Sequence, residues 1–196
     1  MPRSRSDLTA GEWAVLALLV EGPNHGFAIA RMMAPDGEVG RVWSLRRPLV
    51  YRAAETLTRM DLVRPAGTEP SRTGPQRTVL TATPAGKRAV TRWLKTPVEH
   101  VRDGRSLLML KLLFLARRGA DATPLLTAQR DVFAVRAARL APRAADAAEG
   151  FERALALWRL ETTTAAARFV ETMLAQPVPA AHAPRRAPVD RAAARG

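Results

Sequence analysis

Hydrophobic and polar positions alternate with a helical period along residues 49–60. Apolar residues recur three and four positions apart and define one face of a helix, namely Leu49, Val50, Ala53, Ala54, Leu57 and Met60. The other face carries Tyr51, Arg52, Glu55, Thr58 and Arg59. This pattern predicts an amphipathic helix with one face packed and the other exposed.

The predicted start of this helix is strongly basic. Pro48 suits a first helical turn, where its missing N–H would have no partner, and Arg46 and Arg47 come just before it. Two cations at this end oppose the helix dipole, whereas an arriving phosphate would satisfy both the guanidinium groups and the free N–H donors. We therefore predict a helix end that contacts phosphate.

The helical spacing of apolar residues ends after residue 60. Residues 62–65 and 77–81 are extended in character, and the residues between them include Gly67, Pro70, Gly74 and Pro75, which are typical of a hairpin tip. Basic residues lie on or beside this hairpin: Arg64, Arg72, Arg77, Lys87 and Arg88. Between residues 44 and 88, nine Lys or Arg face three acidic residues, a balance of +6. A basic solvated surface is the alternative, but the order of helix and hairpin favours a winged helix-turn-helix.

Two further helices are predicted ahead of this unit. Thr9 and Glu12 form a capping box that opens the first, which ends near Gly22. Asn24 or His25 can cap the second. His25 is interpreted mainly as a cap or packing residue, with a backbone phosphate contact as the alternative. Three helices and a hairpin follow the winged-helix order, and Trp43 is expected to be a core anchor.

The second half of the chain is predicted to be all helical. Start and stop signals indicate helices over residues 85–95, 105–118, 123–142 and 149–176. Asp103 is expected to cap the second of these, and Thr123 with Pro124 to start the third, which Pro142 kinks or breaks. The predicted fold is mainly α with a small β-hairpin, a winged helix-turn-helix domain followed by an all-helical dimerisation domain.

The last helix contains a heptad-like seam. Its members alternate in steps of four and three: Phe151, Leu155, Trp158, Thr162, Ala165 and Phe169. We expect this seam to pack both with its own chain and with a second copy of the protein. The predicted domains are a basic arm (1–7), the DNA-binding domain (8–96), the dimerisation and possible effector domain (97–176) and a disordered basic tail (177–196), which is either inert or adds non-specific DNA affinity.

The composition and charge of the chain indicate which class of molecule it binds. The 196-residue chain has a net charge of +13 and a pI near 11.6, which indicates an anionic partner, most simply nucleic acid. A membrane surface is the weaker alternative, because the charges are spread along the chain. No cysteine is present and the three histidines match no metal-ligand spacing, so no metal or cofactor is expected. With no signal peptide or membrane-spanning run evident, we expect a cytoplasmic protein.

Three segments together resemble the PadR family of bacterial transcriptional regulators, namely residues 8–31, 50–63 and 80–90. The resemblance implies a homodimeric winged-helix protein, usually a repressor, whose C-terminal helices form the dimer and whose DNA release can be controlled by a small molecule. The family's motif residues match His25, Gly26, Tyr51, Thr83, Pro84 and Gly86. The chain departs from the family at Arg46, Arg47 and Pro48, where small residues are common, and at Asp61, where glycine is common.

The main functional hypothesis is a homodimer that binds a pseudo-palindromic operator and represses transcription. Arg52, Glu55 and Arg59 are candidates for reading base edges. Candidates for the DNA backbone are Arg46, Arg47 and Tyr51, with Arg72 and Arg77 on the wing. The rival hypothesis is an architectural protein that binds DNA without sequence preference.

An enzyme is not expected, because no constellation of catalytic groups is evident. A small aromatic effector is a further hypothesis. Its candidate cavity would be lined by Trp13, Trp93, Trp158 and Phe169, with core packing of these side chains as the alternative.

Overall fold

The computed structural model describes residues 8–70 and 76–176. The predicted basic arm (1–7), Arg72 on the hairpin and the predicted disordered tail (177–196) lie outside the described residues. The boundary near residue 96 between two domains stays a prediction.

The first half of the chain forms a winged helix. Its elements are α1 (Ala10–Glu21), β1 (Asn24–His25), α2 (Gly26–Met32), α3 (Arg47–Arg59), β2 (Val63–Glu69), β3 (Arg77–Ala82) and α4 (Pro84–Lys95). The strands form an antiparallel sheet in the order β1-β3-β2. The predicted hairpin is thus confirmed, and β1 adds a third strand that is too short to show an alternating pattern in the sequence.

Helix α1 begins at the predicted capping box. The Glu12 backbone N–H donates to Thr9 Oγ1 over 3.2 Å, and the Thr9 backbone N–H donates to Glu12 Oε2 over 2.7 Å. Beyond this cap, α1 is buried on nearly every side, and Val15 and Leu16 are fully enclosed. It is therefore the central helix of the core, packed against α3, α4, β3 and α5.

The end of α3 fixes the wing. Asp61 adopts a left-handed conformation (φ 55°), as expected where the family commonly has glycine. The Asp61 N–H donates to Thr58 and the Leu62 N–H donates to Leu57, which together close the helix. The Thr83 hydroxyl then donates to the Asp61 carbonyl over 2.8 Å. This links the start of the wing directly to its end.

The second half is helical, with α5 (Met109–Arg117), α6 (Thr123–Ala145) and α7 (Phe151–Ala175). The predicted start of α6 at Thr123 is confirmed, whereas the predicted cap of the preceding helix is wrong. Asp103 makes no side-chain cap, because a 3-10 turn (Val101–Asp103) and a π turn (Gly104–Leu108) precede α5. Thr123 is the first residue of α6, and its N–H is satisfied by Asp121 Oδ1 at 2.9 Å.

Pro142 does not break α6. It lies in the last turn, where a missing N–H removes a single intrahelical bond, and the helix continues to Ala145. Burial of Ala144 holds this final turn in place.

The face of α7 that packs within the chain is different from the predicted seam. Thr163 and Val170 are buried towards α6, with Ala167 and Leu174 packed beside them. In contrast, Phe151, Trp158 and Phe169 are 76%, 69% and 39% exposed, and Ala165 is also exposed, while Leu155 and Thr162 are half-buried. Most of the predicted seam therefore does not pack with its own chain, because the residues buried against α6 lie on a different face of the helix.

Polar contacts join the two halves of the chain. The buried amide of Gln129 on α6 accepts from the Val98 N–H at 2.7 Å and donates to the Val98 carbonyl at 2.9 Å. Arg117 at the end of α5 forms ion pairs with Glu21 of α1 and with Glu38 ahead of α3. No helix within residues 8–70 and 76–176 combines the length and apolar character needed to cross a membrane.

Candidate nucleic-acid interface

Helix α3 presents a polar face to solvent, as its sequence pattern predicts. Val50, Ala53 and Leu57 are buried, whereas Arg52, Glu55 and Arg59 are exposed. Arg59 Nη2 donates to Thr56 Oγ1 over 3.0 Å, which orients its guanidinium along the helix. The structure therefore brings the three predicted base-reading residues onto one accessible face.

Two apolar residues near the start of α3 are not where they were expected. Leu49, expected on the packed face, is 45% exposed, and Trp43, expected as a core anchor, is 36% exposed. Both come before Val50, which is the first buried residue of α3. Arg46, Arg47 and Tyr51 in the same stretch are also exposed.

The start of α3 has the predicted form. Pro48 occupies the first turn, and Arg46 is the N-cap residue without a side-chain hydrogen bond to the helix. The first-turn N–H donors therefore receive no capping side chain, and the neighbouring guanidinium groups are available to an anion.

Phe27 on α2 contacts basic residues of two other elements, a role the sequence pattern missed. The Arg47 guanidinium carbon lies 5.2 Å from the centre of the Phe27 ring and 5.7 Å from that of Tyr51. The Arg77 guanidinium carbon lies 4.9 Å from the Phe27 ring centre. Helix α2, helix α3 and strand β3 therefore meet at one aromatic ring. The helical pattern marks Phe27 only as an apolar position.

His25 is confirmed as a helix cap. Its Nδ1 accepts from the Ala28 backbone N–H over 3.0 Å, which leaves Nε2 as the free ring nitrogen. Nε2 lies 3.8 Å from Glu69 Oε2 on the wing. The predicted contact of His25 with DNA phosphate stays a prediction.

Two glycines of the family resemblance have steric roles in this chain. A Cβ on Gly26 would lie 2.6 Å from Cε1 of Tyr51, and a Cβ on Gly86 would lie 2.2 Å from the Leu62 carbonyl oxygen. Gly26 thus lets the α3 tyrosine rest on α2, and Gly86 lets α4 approach the end of α3. Thr83 caps α4 by accepting from the Gly86 N–H over 3.1 Å.

The wing has an irregular first strand. The β2–β3 register shifts between Pro65 and Gly67, where Gly67 has a φ of 144°. Glu69 and Arg77 are paired across the two strands, with Glu69 beside His25 and Arg77 over Phe27. Most of β2 beyond Val63 is exposed, as expected for an element that reaches outward.

The four aromatic residues predicted to share a cavity are separated in the structure. Trp13 and Trp93 stack in parallel, with ring centres 5.0 Å apart, and line a cavity of about 480 Å³ between α1, α4 and α5. Phe169 lines a different cavity of about 760 Å³, and Trp158 is largely exposed. Because the cavities lie on different elements, the expectation of one aromatic cavity is wrong.

Lys111 is buried at the edge of the smaller cavity. Its Nζ donates to the Thr96 carbonyl and lies 5.6 Å from the centre of the Trp93 ring. Burial lowers the pKa of Lys111 to about 8, although Asp103 opposes this. In the described part of the chain, no group of three or more His, Asp or Glu side chains is arranged to hold a metal ion.

The fold and its exposed basic elements define a winged-helix protein with an all-helical second part. It is similar to the crystal structure of Bacillus subtilis PadR in complex with operator DNA, at 24% sequence identity and a TM-score of 0.40. The alignment covers 84% of this chain and 97% of that chain. No protein-family model matches the sequence, and no curated protein matches it. Its function is therefore argued from its own geometry.

Proposed function

We propose that the protein is a sequence-specific DNA-binding transcriptional regulator, with α3 in the major groove and the wing against the DNA backbone. The exposed face of α3 carries this proposal, because Arg52, Glu55 and Arg59 are accessible together. Arginine can form a forked contact with guanine, and glutamate can accept from cytosine. The residues assigned to the backbone are His25, Arg46, Arg47, Tyr51 and Arg77, with Arg72 predicted to join them.

The acidic residue within this face distinguishes a sequence reader from an architectural protein. Glu55 is exposed between Arg52 and Arg59 on α3. A carboxylate there would be repelled by a phosphate backbone, but it has a use against a base edge that offers a donor. This favours an operator reader over a protein that coats DNA irrespective of sequence.

The test is a binding selection from random-sequence DNA, followed by titration of the selected duplex and a scrambled duplex at two salt concentrations. A preference of about a thousandfold or more at fixed salt supports the proposal. Equal affinity with a steep salt dependence would contradict it and favour the architectural role.

Single substitutions locate base reading on α3. Arg52→Ala should reduce binding to the selected duplex by roughly 1 to 3 kcal/mol and relax the preference at one base position. Arg139→Ala, on an exposed part of α6, is the matched control and should leave that preference unchanged. Equal losses on selected and scrambled DNA for Arg52→Ala would reassign Arg52 to the backbone.

We further propose that the protein acts as a homodimer, and that the exposed seam of α7 contacts a second copy. Phe151, Trp158 and Phe169 are large apolar side chains that their own chain leaves exposed. Leu155, Thr162 and Ala165 complete the spacing of four and three that a partner helix recognises. A two-fold axis would then place two α3 helices roughly 34 Å apart, as a pseudo-palindromic operator requires, and the dimer would repress by occupying a promoter.

Sedimentation equilibrium tests the dimer. Trp158→Ser should shift the protein towards the monomer and weaken operator binding. Leu157→Ser is the matched control, because Leu157 is 40% exposed on the same helix but outside the seam. An unchanged dimer in Trp158→Ser, or a wild-type monomer at micromolar concentration, would contradict the proposal.

A small aromatic effector is proposed to bind in the larger cavity. This cavity has a mainly apolar lining from α5, α6 and α7, including Leu112, Leu113 and Met173, and it also touches Arg41 and Val42 ahead of α3. A ligand there would contact the segment that leads into the recognition helix. A ligand changes DNA affinity if it contacts that segment differently in the DNA-binding conformation and in another conformation.

Benzoate and phenol serve as probes of this effector site. Each should raise the melting temperature and weaken operator binding in the wild type, but not in Ala116→Leu, which fills the larger cavity. Ala89→Leu is the matched control, because Ala89 lines the smaller cavity. Loss of the response in Ala89→Leu alone would assign the ligand to the Trp13 and Trp93 cavity instead.

A further inference from the structure

Two arginines that are distant in the sequence share one aromatic ring. Arg47 begins α3 and Arg77 begins β3, and their guanidinium carbons lie 5.2 Å and 4.9 Å from the centre of Phe27. Tyr51 supports Arg47 with its own ring centre at 5.7 Å. Both positive charges therefore lie near one ring at the junction of α2, α3 and the wing.

Glu69 lies opposite Arg77 in the sheet register, but its carboxylate contacts His25 and forms no ion pair with either arginine. Among the described residues, neither Arg47 nor Arg77 forms an ion pair or a side-chain hydrogen bond. Like charges repel, and the negative face of an aromatic ring offsets only part of that repulsion. A polyanion that contacts both guanidinium groups would satisfy their charges and their fork-shaped donors.

The ring itself is held by the fold. Phe27 follows the His25 cap of α2, and His25 pairs with Val79 of β3, so the ring and Arg77 are tied through one sheet register. Gly26 lets Tyr51 lie directly against α2, on the side from which Arg47 approaches. Elements α2, α3 and β3 therefore bring the two guanidinium groups to one ring.

We infer that Phe27 is a positioning residue that holds Arg47 and Arg77 as one clamp for the phosphodiester backbone of DNA. This inference rests on the proposed DNA-binding function and deepens it. The clamp lies where the start of the recognition helix meets the wing, so a phosphate bound there sets the angle at which α3 enters the groove. It contributes affinity and orientation, and it reads no base.

Phe27→Leu is the direct test, because leucine retains an apolar side chain on α2 and removes the aromatic face. Binding to the selected and the scrambled duplex should fall by the same factor, about three- to tenfold, at fixed salt. Phe27→Tyr retains the ring and should bind as the wild type does. A loss confined to the selected duplex, or an equal loss in Phe27→Tyr, would overturn the clamp.

A double-mutant cycle separates positioning from a general effect on folding. In the Arg47→Ala, Arg77→Ala background, Phe27→Leu should have no further effect on DNA affinity. The same three- to tenfold loss in that background would show that Phe27 acts otherwise, and would overturn the inference. If Phe27→Leu fails to fold by circular dichroism, Phe27→Met replaces it in the same cycle.

Inorganic phosphate distinguishes failure of the clamp from failure of the proposed function. If the wild type binds duplex DNA without sequence preference, the operator proposal fails, while the equal losses expected of Phe27→Leu still support the clamp. If the wild type binds no duplex but is stabilised by inorganic phosphate more than Phe27→Leu is, the site holds free phosphate and the DNA clamp is overturned. If the wild type neither binds duplex DNA nor is stabilised by inorganic phosphate, the DNA clamp is overturned as well.

Discussion

The contact between Gly26 and Tyr51 offers a test of how α2 supports α3. A Cβ at position 26 would lie 2.6 Å from Cε1 of Tyr51, far inside the roughly 3.5 to 4.0 Å of an ordinary carbon contact. Gly26→Ala must therefore displace the Tyr51 ring. Because Tyr51 is 39% exposed, the ring can move outward without disturbing the core.

Two opposing effects determine how much Gly26→Ala changes the free energy of unfolding. Overpacking a site lowers the free energy of unfolding by about 1 to 3 kcal/mol. Because the exposed Tyr51 ring can move, we expect Gly26→Ala to cost about 1 kcal/mol, at the lower end of this range. Replacing glycine by alanine in α2 also lowers the conformational entropy of the unfolded chain, which stabilises the folded protein by roughly 0.5 to 1 kcal/mol. The free energy of unfolding should therefore change little, whereas DNA affinity should fall several-fold as Tyr51 and the Arg47 that it supports are displaced.

Urea denaturation and duplex titration measure these two quantities separately. In a Tyr51→Ala background the steric cost disappears, so Gly26→Ala should raise the free energy of unfolding by up to about 1 kcal/mol. A destabilisation of the same size in both backgrounds would refute the reasoning, because it would show that Tyr51 is not what Gly26 accommodates.

Three further predictions concern stability. Gly86→Ala should destabilise by about 3 kcal/mol or more in urea denaturation, because its Cβ would meet the fixed Leu62 carbonyl and no side chain can yield; a cost below 1 kcal/mol would contradict this. Gln129→Leu should lose about 2 to 5 kcal/mol by leaving both Val98 backbone groups buried and unpaired, whereas an exposed Gln176→Leu should be neutral. Because burial lowers the pKa of Lys111 from 10.5 to about 8, the folded protein holds fewer protons than the unfolded chain between those pH values. The free energy of unfolding, relative to that of Lys111→Met, should therefore rise with pH over this range by at most about 3 kcal/mol, and a fall would contradict the assignment.

The elements set by short-range interactions were predictable from the sequence. The Thr9 and Glu12 capping box, the apolar face of α3 and the left-handed Asp61 each depend on residues within a few positions of one another. Helix periodicity, capping and turn chemistry act over that range. The order of helices and hairpin, and hence the winged-helix fold, followed from them.

Local signals were misleading where several structures satisfy the same pattern. Asp103 looks like a helix cap, yet its side chain makes no cap and a π turn follows it. On α7, two sets of positions share a heptad spacing, and the sequence cannot say which one packs within the chain. The aromatic set containing Trp158 was the more conspicuous in the sequence, but Thr163 and Val170 are the residues that are buried.

The sequence by itself determined the helices, the hairpin, the exposed polar face of α3 and the excess of positive charge. The tertiary structure alone decided that β1 pairs with β3, which face of α7 is buried, and that Arg47 and Arg77 meet over Phe27. The physical reason is the range of the interactions. Periodicity records what each residue does within its own element, whereas a strand register and a shared aromatic ring depend on residues 20 to 56 positions apart that only folding brings together.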